Sequence, residues 1–242
     1  MTEPGTLRRN AGQCLLGLVL ATTAMVSAAE ETQITDFVGK AYDTESGELL
    51  YTEEHRLEQA EGVPQRETVH YVTPGGDTLA EKEMTYWQPE RPGYRLTITQ
   101  PERTETVDPG DDGVAIESKE SGTLEWSEDN PSVIDGGFHY FILNHFDQLL
   151  AGDSVDFQFL APSRVRWLGL RVEPAGQADG QLRLDLKVQS TILSWVVSDI
   201  ELTYDIDTRQ LLRYRGLTNL PDPDGGNYTA DIKYQYPETN PP

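Results

Sequence analysis

Glu53 and His55 stand two residues apart in the run Leu49-Leu50-Tyr51-Thr52-Glu53-Glu54-His55-Arg56-Leu57. At strand spacing they share a face with Leu49, Tyr51 and Leu57. Lys82 likewise shares a face with Ala80, Met84 and Tyr86. A carboxylate, an imidazole and an ammonium on otherwise apolar faces are the parts of an acid–base site, as in a hydrolase, or the floor of a polar ligand pocket. The competing reading is a structural polar network. On that reading methionine replaces Lys82 at little cost, while Glu53→Ala strands a buried donor.

Arginines supply a second candidate. Arg164 with Arg166, and Arg213 with Arg215, share strand faces in the second half of the chain, with Arg171 between them. Such a stripe can receive an anionic head group, or pair across strands with Asp185, Glu201 and Asp205. Glu53, His55, Lys82, Arg213 and Arg215 are therefore the candidate ligand-binding residues, and no catalytic set is assigned. His139 and His145 lie six apart in a helical stretch and point to different faces, so they are no metal pair; His145 falls on the apolar stripe and reads as a hydrogen-bonded core residue. Asp222-Pro223-Asp224-Gly225-Gly226-Asn227 resembles a calcium loop, but Lys233 takes the place of the closing glutamate. An acidic turn is expected there, with no metal and no cofactor. Nucleophile-elbow, phosphate-loop, zincin and dinucleotide motifs are missing from the sequence.

The elements that must carry these residues are mostly strands. Alternating segments run over 33–42, 47–57, 66–73, 78–86, 94–100, 104–107, 114–118 and 123–126. Turn compositions separate them, Pro74-Gly75-Gly76-Asp77 being the strongest hairpin signal. Phe138, Phe141, Ile142, His145 and Leu149 give helical spacing over 136–150, with Asp135 as N-cap and Gly152 as the stop. Strands resume at 155–160, 164–173 and 181–188, a helical turn or two is expected at 191–198, and strands follow at 200–206, 210–217 and 228–236. The fold class is mainly β: a single curved or barrel-like antiparallel sheet with one main helix at about 136–150.

The chain has 242 residues, 41 acidic and 19 basic, with a net charge of −22. So acidic a surface argues against nucleic acid and anionic lipid as partners. Arg8 and Arg9 precede a short apolar run from Cys14 to Val26 that ends in Ser27-Ala28-Ala29. That is the layout of a cleavable secretory signal peptide, cut after Ala28 or Ala29. The run is shorter than the ~20 residues a spanning helix needs, and Cys14, the only cysteine, sits at its start rather than at a lipidation point. The expected organisation is a signal peptide over 1–29, one β-rich domain over 30–237 without a transmembrane span, and a disordered tail over 238–242, in the periplasm or secreted.

The segments Gly47-Glu48-Leu49-Leu50-Tyr51-Thr52-Glu53-Glu54-His55, Ala80-Glu81-Lys82 and Tyr214-Arg215-Gly216-Leu217-Thr218-Asn219-Leu220, with the Phe-rich helix mid-chain, resemble a family of uncharacterised exported bacterial proteins. The family brings no function with it. The layout is also similar to periplasmic lipoprotein carriers, curved antiparallel sheets closed by helices around an apolar cavity. That similarity implies a binding protein for an apolar or amphipathic, lipid-like ligand. A hydrolase and a structural partner in envelope assembly are the alternatives.

Overall fold

The computed structural model describes residues 1–2, 32–127, 130–189, 200–223 and 225–237. The chain divides into Met1–Glu30 and Glu31–Pro242, and the second unit carries every element below. The expected helical turn at 191–198 and the tail at 238–242 lie outside the described residues.

Alternation of apolar and polar side chains produces the strands. The first eight are β1 (Thr32–Asp43), β2 (Leu49–Ala60), β3 (Val63–Val72), β4 (Thr78–Tyr86), β5 (Pro92–Thr99), β6 (Glu102–Pro109), β7 (Gly113–Glu117) and β8 (Ser121–Glu125). In β4, Ala80, Lys82, Met84 and Tyr86 are buried while Glu81, Glu83 and Thr85 are exposed, the pattern of a strand with one wet face. A two-residue strand, β9 (Ser132–Val133), leads into two short helices, α1 (Gly137–Asn144) and α2 (Phe146–Leu150). The remaining strands are β10 (Val155–Ala161), β11 (Arg166–Ala178), β12 (Gln181–Val188), β13 (Ile200–Asp205), β14 (Leu211–Pro221) and β15 (Asn227–Gln235).

All fifteen strands join one curved sheet that does not close into a barrel, in the order β8-β7-β6-β5-β4-β3-β2-β1-β15-β14-β13-β12-β11-β10-β9. Pairing is antiparallel except between β9 and β10, which are parallel because the two helices form the crossover between them. Tight hairpins set much of the register: at Asp179-Gly180 both residues have positive φ (53° and 74°), as a two-residue turn matched to strand twist requires. The concave side holds two apolar groups. One, under β1–β8 and β15, is rich in tyrosine, with Tyr51, Tyr71, Tyr86 and Tyr94 buried. The other, under β10–β13, is phenylalanine and leucine, with Phe141, Phe146 and Phe157 packed on Leu182, Leu184 and Leu202. The 132–150 segment runs between them: Val133 belongs to the second group and Ile134 to the first.

Three local expectations change. The single helix is two, because His145 leaves helical geometry (φ −109°, ψ 11°) and its Nδ1 donates to the Phe141 carbonyl at 2.9 Å. Asp135 is not a cap: α1 has no side-chain cap, and the Asp135 carboxylate serves a buried cation instead. The strand expected over 164–173 begins only at Arg166, since Pro162–Arg164 forms a 3₁₀ turn and Val165 adopts φ 44°. Arg164 and Arg166 therefore do not share one strand face.

The two sheet edges, β8 and β9, are consecutive in sequence and meet at a seam. Trp167 Nε1 donates to the Glu125 carbonyl at 3.0 Å, and its ring lies 5.9 Å from that of Trp126. Arg91 stacks on Trp126 at 4.5 Å and donates from Nε to the Ser132 carbonyl at 3.2 Å. The Ile134 amide donates to the Glu90 carbonyl. Side chains and one loop thus cover edges that would otherwise invite pairing with another chain. Replacing Trp167 with phenylalanine keeps the ring but removes the donor, and should lower stability by about 1 kcal/mol in urea denaturation; an unchanged midpoint would contradict the role given to this bond.

Candidate functional site

β2 and β3 bring Glu53, His55 and Glu67 together on the concave face. His55 Nδ1 lies 2.8 Å from Glu67 Oε1, and Nε2 lies 3.2 Å from Glu53 Oε2. All three side chains are about nine-tenths buried, with 9–11% exposure. Tyr86 donates to the other Glu67 oxygen at 2.8 Å, and Tyr234 donates to Glu53 at 3.2 Å. Phe37 stacks on the His55 ring with centroids 4.3 Å apart. The Tyr234–Glu53 bond reaches from β15 to β2 across β1, where Gly39 is the residue between them. A Cβ at that position would sit 2.8 Å from the Tyr234 ring and 2.9 Å from the Glu53 carboxylate, so the hydrogen bond depends on the glycine.

Electrostatics fix the protonation of this chain. Burial alone would lower the His55 imidazole, but hydrogen bonds and charge from Glu53 and Glu67 outweigh it and raise it from 6.5 to about 9. Burial pushes Glu67 upward, yet His55 and the Tyr86 hydroxyl together hold it below its ordinary value. Burial also keeps the Tyr86 and Tyr234 hydroxyls protonated, well above the usual range. His55 is thus an imidazolium with both N–H groups donated to carboxylates. At neutral pH it has no lone pair with which to accept a proton, so it is not a general base.

His139, on α1, behaves oppositely. Burial lowers it from 6.5 to about 4, against the Glu67 charge. It is neutral, with Nδ1 3.3 Å from Tyr204 Oη and the two rings parallel.

Lys82 sits nearby but in a separate pair. Its Nζ donates to both Asp135 oxygens at 2.9 Å and lies 5.6 Å from the Tyr94 ring centroid and 6.0 Å from that of Tyr71. Asn219 completes the Asp135 shell at 3.0 Å. Lys82 is 4% exposed and Asp135 17%. The expectation that methionine replaces Lys82 cheaply is thereby corrected, because the change leaves a carboxylate half-satisfied inside the molecule.

Arg213 and Arg215 are on the outer, convex face, away from the other candidates. Arg213 forks onto Asp231 at 2.5 and 2.8 Å, holding that carboxyl below its ordinary value; Asp231 was not among the acids expected to face the arginines. Arg215 stands opposite Glu201 and Asp231 in the ladders. Arg171 forks onto Asp156 at 2.6 and 2.8 Å. A depression of about 510 Å³ opens beside Arg213, lined by Tyr42, the 43–47 turn, Arg215, Asp231 and Lys233. Among the described residues no group of three or more His, Cys, Asp or Glu is arranged to hold a metal ion, and no helix is long and apolar enough to cross a membrane.

Sequence reasoning missed Glu67, Asp135, Tyr234 and Asn219. Glu67 alternates with Val69 and Tyr71 on β3, the same signal that exposed Glu53. The others reach the site from far along the chain.

No family model matches the sequence, and no curated protein matches it. One solved structure resembles it: a β-barrel-like protein of a domain of unknown function (DUF1849) from Brucella abortus, with a TM-score of 0.43, 8% identity, and coverage of 85% of this chain and 94% of that one.

Two outcomes follow. Lys82→Met should destabilise by about 3–5 kcal/mol, as for a buried pair losing one member, and adding Asp135→Asn should recover part of that loss; a near-neutral single variant in urea would refute the pairing. Stability should also peak near pH 6.5. The folded value of His55 lies above its unfolded one, so its contribution, on the order of 3 kcal/mol, is complete below pH 6.5 and is lost as pH rises through about 9. The folded value of His139 lies below its unfolded one, so stability falls as pH drops from 6.5 toward 4, and protonation of Glu67 adds to that limb. His55→Gln should flatten the alkaline limb alone, and His139→Gln should relieve the acid limb, in melting profiles against pH.

Proposed function

We propose that this chain is an exported, non-enzymatic binding protein of the bacterial periplasm that takes its ligand on the outer face of the sheet. The observation that carries this reading is the engagement of His55 by two carboxylates. The imidazole of the Glu53–His55–Lys82 constellation is held as an imidazolium between two carboxylates, which speaks against a hydrolase that uses His55 as its base. The concave side is occupied by the protein's own tyrosine, phenylalanine and leucine side chains, which leaves the apolar-cavity version without support among the described residues. Covered edges at the Trp126–Trp167 seam speak against assembly by strand addition there. The polar depression beside Arg213 and Arg215, two of the residues singled out by sequence, is the ligand site on this reading. Export is supported by the Arg8-Arg9, apolar-run and Ser27-Ala28-Ala29 layout of the first thirty residues.

Native mass spectrometry of protein recovered from the periplasm tests both parts. The expected mass is that of a chain beginning at Ala29 or Glu30, with a non-covalent adduct lost when Arg215 is replaced by glutamine. A chain retaining Met1 in the membrane fraction would overturn the export reading. An adduct-free protein that turns over a hydrolysable ester, with activity lost in His55→Gln, would overturn the binding reading.

A further inference from the structure

The Trp126–Trp167 seam closes the two ends of the strand order, but a third edge lies inside it. β15 leaves β1 after the Val38–Gln235 pair, while β1 and β2 stay paired out to Thr32 and Ala60. Pro237, two residues past Gln235, has no amide hydrogen to give β1. Among the described residues, 32–36 are thus paired on one side only. Thr32, Gln33, Ile34 and Asp36 are exposed.

The devices that guard a strand edge are missing from this stretch. It holds no lysine and no proline, and the bulge in β1 is far off at Ala41-Tyr42. Its one charge, Asp36, is neutralised by Arg56 on β2 at 3.2 Å. Thr32, Ile34 and Thr35 are β-branched, which suits a paired, pleated strand. Among the described residues of the second unit, five large apolar side chains are exposed, and two of them stand at this end: Ile34 at 47% and Val63 at 46%. Val63 is joined to Thr32 through Ala60 in the ladders. The chain's own segments on either side are poor candidates to complete the edge. On the export reading above, cleavage leaves two or three residues before Thr32, too few to turn back along it. On the other side, Pro237, Pro241 and Pro242 remove the donors that a strand would need.

Resting on that export reading, we infer that residues 32–36 of β1 pair antiparallel with the same residues of a second copy, about a two-fold axis at Ile34. A second copy carries the strand this edge lacks, already extended, and one contact then satisfies both open edges. Charge and apolarity select the register. With the axis at Ile34, Ile34 faces Ile34, Gln33 faces Thr35 and Thr32 faces Asp36, so no two charges meet. An axis at Gln33 would set Asp36 against Glu30, and one at Thr35 would set Asp36 against Ile34. A single short strand pair lies below the size of a stable interface, so the dimer is weak and forms as concentration rises. Added salt should tighten it, by screening the repulsion between two copies that each carry a net charge of −22.

Sedimentation velocity of the chain recovered from the periplasm, over a concentration series, tests the pairing. Wild-type protein should move reversibly from monomer toward dimer. Ile34→Lys and Ile34→Glu, each alone, set like charges face to face at the axis and should weaken the dimer about tenfold or more. Mixing the two variants sets unlike charges face to face and should restore it, so a loss in either one cannot be put down to misfolding. Leu217→Lys, at an exposed apolar site on β14, should leave the dimer unchanged. A chain that stays monomeric up to about 1 mM, a dimer that both Ile34 variants keep, or a mixture that fails to restore it would overturn the inference. The mass of the recovered chain reads the cleavage separately. A cleaved monomer overturns the pairing and leaves export standing, whereas a chain that keeps Met1 overturns export and this inference with it.

Discussion

Three carboxylates, Glu53, Glu67 and Asp135, lie inside the curve of this sheet, and much of the architecture serves to make that tolerable. An unpaired carboxylate in such surroundings costs several kcal/mol. His55 neutralises one unit of charge by taking a proton it would not hold in water. Lys82 neutralises another. The excess is spread over donors from Tyr86, Tyr234 and Asn219. Each donor arrives from a different strand, so the polar chain ties β2, β3, β4, β14 and β15 together where apolar packing alone would leave them free to slide. Gly39 and the left-handed backbone at Asp135 (φ 40°) are local costs of that arrangement, one in lost packing and one in strain.

The interior is accordingly of two kinds. Beneath β1–β8 it is tyrosine, charge and hydrogen bond, where geometry is directional. Beneath β10–β13 it is phenylalanine and leucine, where shape alone decides. The 132–150 segment belongs to both: Asp135 anchors it in the first and Phe141, Ile142 and Phe146 in the second. Tyr214 touches both as well. The β1–β15 ladder, this crossing segment and the Trp126–Trp167 seam join the two halves of the sheet.

Most strands could be read from the chain because the period of two is written in nearest neighbours: β4 and β12 match their expected limits, and the Pro74–Asp77 and Asp207-Thr208 turns fall where expected. The break at His145 was invisible because the apolar spacing runs straight through it. β9 was missed because two residues carry no periodicity. Inward polar residues were legible on the same principle, since a charge on an apolar face stands out; hence Glu53, His55 and Lys82. Their partners were not, because pairing is decided by register between segments as far apart as Glu53 and Tyr234. Of the acids expected to face the arginine stripe, Glu201 stands across from Arg215, but Arg213 bonds Asp231, which comes from β15, whose position beside β14 was not predicted.

The ladder order carries a consequence for how the chain assembles. Almost every strand pairs with one adjacent in sequence, so each half can zip up from short loops, which is fast. β1 is the exception: its second neighbour is β15, the last strand made. Until β15 arrives, β1 presents an open row of amides and carbonyls, with Gly39 offering a bare stretch of backbone. That interval is when the protein is most exposed to pairing with a second copy of itself. A helper that shields β1, or a slow step anywhere in the second half, would set the yield of folded protein more than the strength of any contact in the finished structure.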